Sequence, residues 1–120
     1  MKPETREWIK VADRDFGSAR SLLQDGFAEN AAYFCQQAAE KLLKAALTEG
    51  GREPPKTHDL VEWADLAEIQ LTGERQVFLT RLSDHAARSR YPGAEYTEEE
   101  VRELLEETKR FLEWLRARLS

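Results

Sequence analysis

Gln36, Gln37, Glu40, Lys41 and Lys44 are gathered on one stripe of a segment that is otherwise apolar. At 100° per residue, Ala31, Ala32, Phe34, Cys35, Ala38, Ala39, Leu42, Leu43, Ala45 and Ala46 cover an arc of roughly 180°. The polar side chains share the remaining ~140° with Tyr33 and Thr48, and Leu47 sits at the edge. A surface helix needs an apolar stripe of only ~100°, so this spacing predicts a central helix packed against several neighbours. Carboxamides offer both donors and acceptors, and a lysine ammonium is a point charge suited to a phosphate. Gln37, Lys41 and Lys44 are therefore candidates to line a groove; the plainer alternative is a solvated helix face.

Arg81, His85 and Arg88 fall at i, i+4 and i+7, on one edge of a helical pattern that also carries Phe78 and Leu82. A histidine exchanges protons near neutral pH and an arginine can hold a phosphodiester, a pairing that suits metal-independent RNA cleavage. The alternative is a histidine at the core edge flanked by solvated arginines. Directly after it, Ser89-Arg90-Tyr91-Pro92-Gly93 reads as a helix end. Arg90 and Tyr91 could also offer charge pairing and stacking to a phosphate and a base. Asp15 falls among Trp8, Ala12, Ala19 and Leu22, where a carboxylate needs a partner from a neighbouring helix or serves as a base in a polar pocket. His58, in Thr57-His58-Asp59-Leu60, reads as part of a cap and loop lock. Two histidines 27 positions apart, without metal-ligand spacing, make no zinc site, and no metal or cofactor is expected. The chain has no phosphate loop, dinucleotide fingerprint or nucleophile elbow.

These residues are carried by helical patterns. The first runs from Pro3 to Gln24, with Trp8, Ile9, Val11, Ala12, Phe16, Ala19, Leu22 and Leu23 on one face, and stops at Asp25-Gly26. The second runs from Ala28 to Glu49 and stops at Gly50-Gly51, which with Pro54-Pro55 marks a loop. Thr57 is the expected N-cap of a third helix, with Asp59 in its first turn and apolar positions from Leu60 to Ile69. Leu71-Thr72-Gly73-Glu74 reads as a break before a fourth helix carrying Phe78, Leu79, Leu82 and Ala86. Thr97-Glu98-Glu99-Glu100 is a capping box that opens a fifth. With no alternating strand pattern, the expectation is an all-α, four- or five-helix up-and-down antiparallel bundle over residues 1–120, one domain.

Composition narrows the function. A net charge of −5 with 34% charged residues opposes a sequence-independent grip on nucleic-acid phosphates unless basic groups cluster locally. The single cysteine, Cys35, excludes a disulfide framework and fits a buried thiol in a reducing compartment. No apolar run approaches the ~20 residues that span a bilayer, and the first residues lack a signal-peptide core, so a cytoplasmic protein without membrane contact is expected.

Several pieces, in order, resemble the HEPN family, helical domains of prokaryotes and higher eukaryotes named for nucleotide binding. They are Trp8 to Ala12 with Asp15-Phe16 and Ala19 to Leu23, Tyr33 to Ala45, Thr57-His58-Asp59-Leu60, Ser89-Arg90-Tyr91-Pro92, and the helix after Tyr96-Thr97. The resemblance implies a helical bundle that forms a homodimer. Many members resemble ribonucleases or RNase toxins that place an Arg, four to six residues and then a His at a dimer groove. Arg81 and His85 have three residues between them, which changes their relative facing, and Arg52 and His58, with five, straddle the Gly50 to Thr57 loop. Other small members resemble partners of minimal nucleotidyltransferases in two-component, toxin–antitoxin-like modules. That likeness implies a non-catalytic scaffold with a nucleotide-facing groove lined by Gln37, Lys41, Lys44, Arg90 and Tyr91, while Asp15 and His58 are structural. The alternatives are a metal-independent endoribonuclease using Arg81 and His85, and a purely structural helical dimer.

Overall fold

The computed structural model describes residues 1–88, 91–93 and 95–119. Five helices follow one another: α1 (Pro3–Gln24), α2 (Ala28–Glu49), α3 (Leu60–Leu66), α4 (Gly73–Arg88) and α5 (Glu98–Leu119). No strand occurs among the described residues. The result is an all-α bundle of 39 × 24 × 23 Å with α2 at its centre, touching each of the other four helices.

The composition of α2 explains its position. Ala31, Ala32, Ala38, Ala39 and Ala45 are buried beside Cys35, Leu42, Leu43 and Leu47. The alanines let neighbouring backbones approach closely while the leucines fill the space between them. Truncating Leu43, fully buried, to alanine would cost about 2–5 kcal/mol. Burial pushes the Cys35 thiol up to about 12, against a smaller downward pull from a Thr108 hydrogen bond, so it is a core group.

Antiparallel pairing of α1 with α2 is fastened at the open end of their hairpin. Glu49 accepts from the Lys2 backbone N–H at 3.0 Å and from Thr5 Oγ1 at 2.8 Å, and these bonds hold its carboxyl below the usual range. At the closed end, Gly26 adopts φ 88°, and the Gly26 and Phe27 amides bond back to the Leu23 and Leu22 carbonyls. Gly51, at φ 70°, ends α2 the same way, with Gly51 and Arg52 donating to the Thr48 and Leu47 carbonyls. Both are Schellman closures, which need a left-handed residue just past the helix.

Three expected boundaries move. The third helix stops at Leu66 and does not continue to Ile69, because Glu68 takes the left-handed conformation at φ 58°. Glu68 and Ile69 donate to the Asp65 and Ala64 carbonyls in a third Schellman closure, made without glycine. Arg52 holds that turn, donating to the Leu66 carbonyl at 2.8 Å and to Glu68 Oε1 at 2.7 Å. The N-cap of α3 is Asp59, whose Oδ1 accepts from the Val61 amide at 3.0 Å. Thr57 Oγ1 instead accepts from the Asp59 amide at 3.1 Å, one step outside the helix. Finally, Gly73 and Glu74 belong to α4, because Thr72 Oγ1 accepts from the Arg75 amide at 3.2 Å and starts the helix there. At α5, Thr97 Oγ1 accepts from Glu100 N–H at 3.0 Å, as expected of a cap.

Candidate functional site

Residues distant in sequence meet in a groove of about 360 Å³ lined by Gln36, Gln37, His58, Ser83, Ala86, Ala87 and Tyr91. Gln36 and Gln37 come from the central helix, Gln36 only 5% exposed and Gln37 half-buried. Ser83 fixes the opposite wall: its Oγ donates to the Leu79 carbonyl at 2.9 Å and accepts from the Leu60 amide at 3.3 Å. That second bond ties the start of α3 to α4 and, with the Asp59 cap, sets exposed His58 at the groove's edge. Tyr91 follows the end of α4, where its amide bonds to the Arg88 carbonyl at 3.1 Å and its side chain is 72% exposed.

The stripe of α2 is shared between two surfaces. Gln37 faces the α4 groove, whereas Lys44 lies toward α1 with its Nζ 4.0 Å from the centre of the Trp8 ring, a cation–π contact. Lys41 pairs with Glu40 at 3.7 Å and also acts on Asp15 across the α1–α2 seam. Asp15 is half-buried, and burial raises its pKa against the opposing pull of Lys41 and Arg14. The structure thus brings Gln37 and Tyr91 together with His58, and places Lys41, Lys44 and Asp15 on the α1 side. Arg90 lies outside the described residues.

The third candidate constellation sits where α4 meets α5. Arg81 is engaged in an ion pair with Glu107 of α5. The His85 ring packs 5.1 Å from that of Tyr96, whose hydroxyl donates to the His85 carbonyl at 3.1 Å. Arg88 reaches the Tyr96 ring at 5.4 Å and Asp84 at 3.9 Å. His85 Nδ1 is buried and has no hydrogen-bond partner among the described residues. Burial first, then Arg88 and Arg81, lower the His85 pKa, with Asp84 and Glu100 opposing, so the neutral imidazole is favoured. Among the described residues no group of three or more His, Cys, Asp or Glu side chains could hold a metal ion.

The spacing of the polar stripe reveals Gln36 and Gln37, but not Ser83. The signal available for it is a small-residue edge on α4, Ser83, Ala86 and Ala87, at i, i+3 and i+4. Such an edge facing glutamines leaves space between two helices that carries polar groups on a largely apolar wall.

An alanine-rich central helix wrapped by four others places the chain among small all-α helical bundles. The chain belongs to the HEPN domain family, whose family model matches residues 5–118. Among solved structures it is similar to ST0689, an archaeal HEPN homologue, with 29% identity, a TM-score of 0.78 and 100% of both chains covered. It also shares its fold with TT1696 from Thermus thermophilus, with 24% identity, a TM-score of 0.86, and coverage of 97% of this chain and 98% of that one. No curated protein matches the chain. No helix among the described residues is long and apolar enough to cross a membrane.

Proposed function

We propose that this HEPN domain is a nucleotide-binding scaffold without catalysis of its own, working as a homodimer beside a minimal nucleotidyltransferase in a cytoplasmic, toxin–antitoxin-like pair. The partner supplies the metal-dependent transfer chemistry. The observation that carries this reading is the convergence of Gln36, Gln37, His58 and Tyr91 on one groove. An exposed phenol offers a stacking face, and the carboxamides and imidazole offer donors and acceptors to the edge of a planar base. Lys41 and Lys44 stand on the neighbouring surface of the same helix, where they can attract phosphates as the nucleotide approaches.

The ribonuclease alternative has weaker support. Arg81 is committed to Glu107, and the His85 ring is packed on Tyr96.

The reading is tested by titrating AMP and ATP into the purified protein by calorimetry. Base–aromatic stacking is worth ~1–3 kcal/mol, so Tyr91→Ala should weaken binding about tenfold, and Gln37→Ala should weaken it further. Absence of binding at millimolar nucleotide overturns the groove assignment. Metal-independent RNA cleavage lost in His85→Ala overturns the non-catalytic reading.

A further inference from the structure

We propose a second ligand site, for a phosphate group, between α4 and α5, where Arg75 and Arg110 line one depression and Trp114 beside it carries the guanidiniums of Arg75 and Arg118. It lies apart from the glutamine–tyrosine groove and does not depend on that assignment. The Arg75 guanidinium lies 3.9 Å and that of Arg118 4.4 Å from the centre of the Trp114 ring. Arg75 and Arg110 line the same depression, about 260 Å³, together with Thr72 at its rim and Phe78 and Phe111 behind.

Three properties of the cluster point to an oxyanion. First, no carboxylate lies within ion-pair distance of Arg75, Arg110 or Arg118 among the described residues, although the chain carries a net charge of −5. The depression also contains Glu107, already paired with Arg81, and exposed Glu74. With Glu107 taken up by Arg81, the depression sets two guanidiniums, Arg75 and Arg110, against one carboxylate, Glu74. Second, a guanidinium laid on an indole has its N–H edges directed away from the ring, which fixes the planar fork before any ligand arrives. Third, Arg75 is half-buried in the first turn of α4, where the helix dipole is positive and a cation is unfavourable. A phosphate resting there satisfies the dipole and the guanidiniums together. Its tetrahedral oxygens can accept from forks arriving along different directions, from α4 and α5, whereas one carboxylate plane matches a single fork.

A long polyanion is a poorer occupant. The exposed face of α5 interleaves Glu103, Glu106 and Glu113 with Arg102, Lys109 and Arg116, so it offers no continuous basic track for successive phosphates of RNA. The chemistry therefore fits a single phosphate or a pyrophosphate, either free or on a small ester.

The test is a titration of the intact, ¹⁵N-labelled protein with inorganic phosphate, pyrophosphate and AMP, following the indole N–H resonance of Trp114, assigned by Trp114→Phe. Sodium chloride at matched ionic strength is the control. A saturable shift with phosphate or pyrophosphate, absent with chloride, is expected. Arg110→Gln, which leaves both stacked guanidiniums in place, should raise the apparent Kd about tenfold, the usual loss for a charge-assisted hydrogen bond. Arg75→Lys should weaken binding while keeping the charge, because it removes the fork. If AMP moves Trp114 while inorganic phosphate does not, or if chloride reproduces the shift, the proposal is overturned. It is also overturned if Arg110→Gln and Arg75→Lys, shown folded by their amide spectra, both bind phosphate as the parent does.

Discussion

Replacing Glu68 tests whether the end of α3 is a left-handed closure made against the preference of its residue. Glu68 sits at φ 58°, and the left-handed region costs an L-residue with a Cβ roughly 1–2 kcal/mol, a cost glycine avoids. The compensating contact is the Arg52 pair at 2.7 Å, whose Glu68 side chain is 76% exposed, so solvent limits it to about 0.2–1 kcal/mol. Glu68→Ala loses the pair and keeps the strain; Glu68→Gly loses the pair and removes the strain, while adding about 0.4–1 kcal/mol of unfolded-chain freedom. Glycine should therefore be more stable than alanine here by about 0.5–1 kcal/mol, the reverse of their order within a helix. In thermal unfolding that is a difference of about 2–6 °C for a domain of this size. Urea unfolding by circular dichroism gives the free energies directly, and in an Arg52→Ala background the loss caused by Glu68→Ala should vanish. Glu68→Ala more stable than Glu68→Gly would refute the reasoning. The test bears on the groove as well, since α3 begins next to His58 and is tied to Ser83 through the Leu60 amide.

Thr97→Ala should cost about 1 kcal/mol in urea unfolding, through loss of the bond to the Glu100 amide, and Thr97→Ser should recover most of it. His85 is held below its ordinary pKa of 6.5, so the unfolded chain takes up the proton before the folded one does. Stability should then fall as pH drops through 6.5 toward the folded value, and His85→Gln should flatten that part of the stability–pH curve. Cys35, with a pKa of about 12 and no exposure, should react with a disulfide reagent at pH 8 only as fast as the protein opens, so labelling should accelerate in parallel with unfolding as urea is added.

The bounds of α1 and α2 were legible because the residues that close them, Gly26 and Gly51, are the type that left-handed closure favours. The end of α3 was hidden because a glutamate fills the same role, held by an arginine 16 positions away whose pairing no local pattern reveals. The site divides for a related reason. A helical wheel shows that Gln37, Lys41 and Lys44 share a stripe of ~140°, but it does not show how many neighbours that stripe meets. Here it meets two: Trp8 and Asp15 of α1 draw the lysines to one flank, and the small residues of α4 leave space for the glutamines on the other. The same limit applies to Arg81 and His85, whose i, i+4 spacing correctly puts them on one edge of α4. Their chemistry is set by α5, because Glu107 occupies the guanidinium and Tyr96 covers the ring. A sequence motif on one helix therefore defines which side chains can meet, and the helix packed against it decides which of them remain available to a ligand.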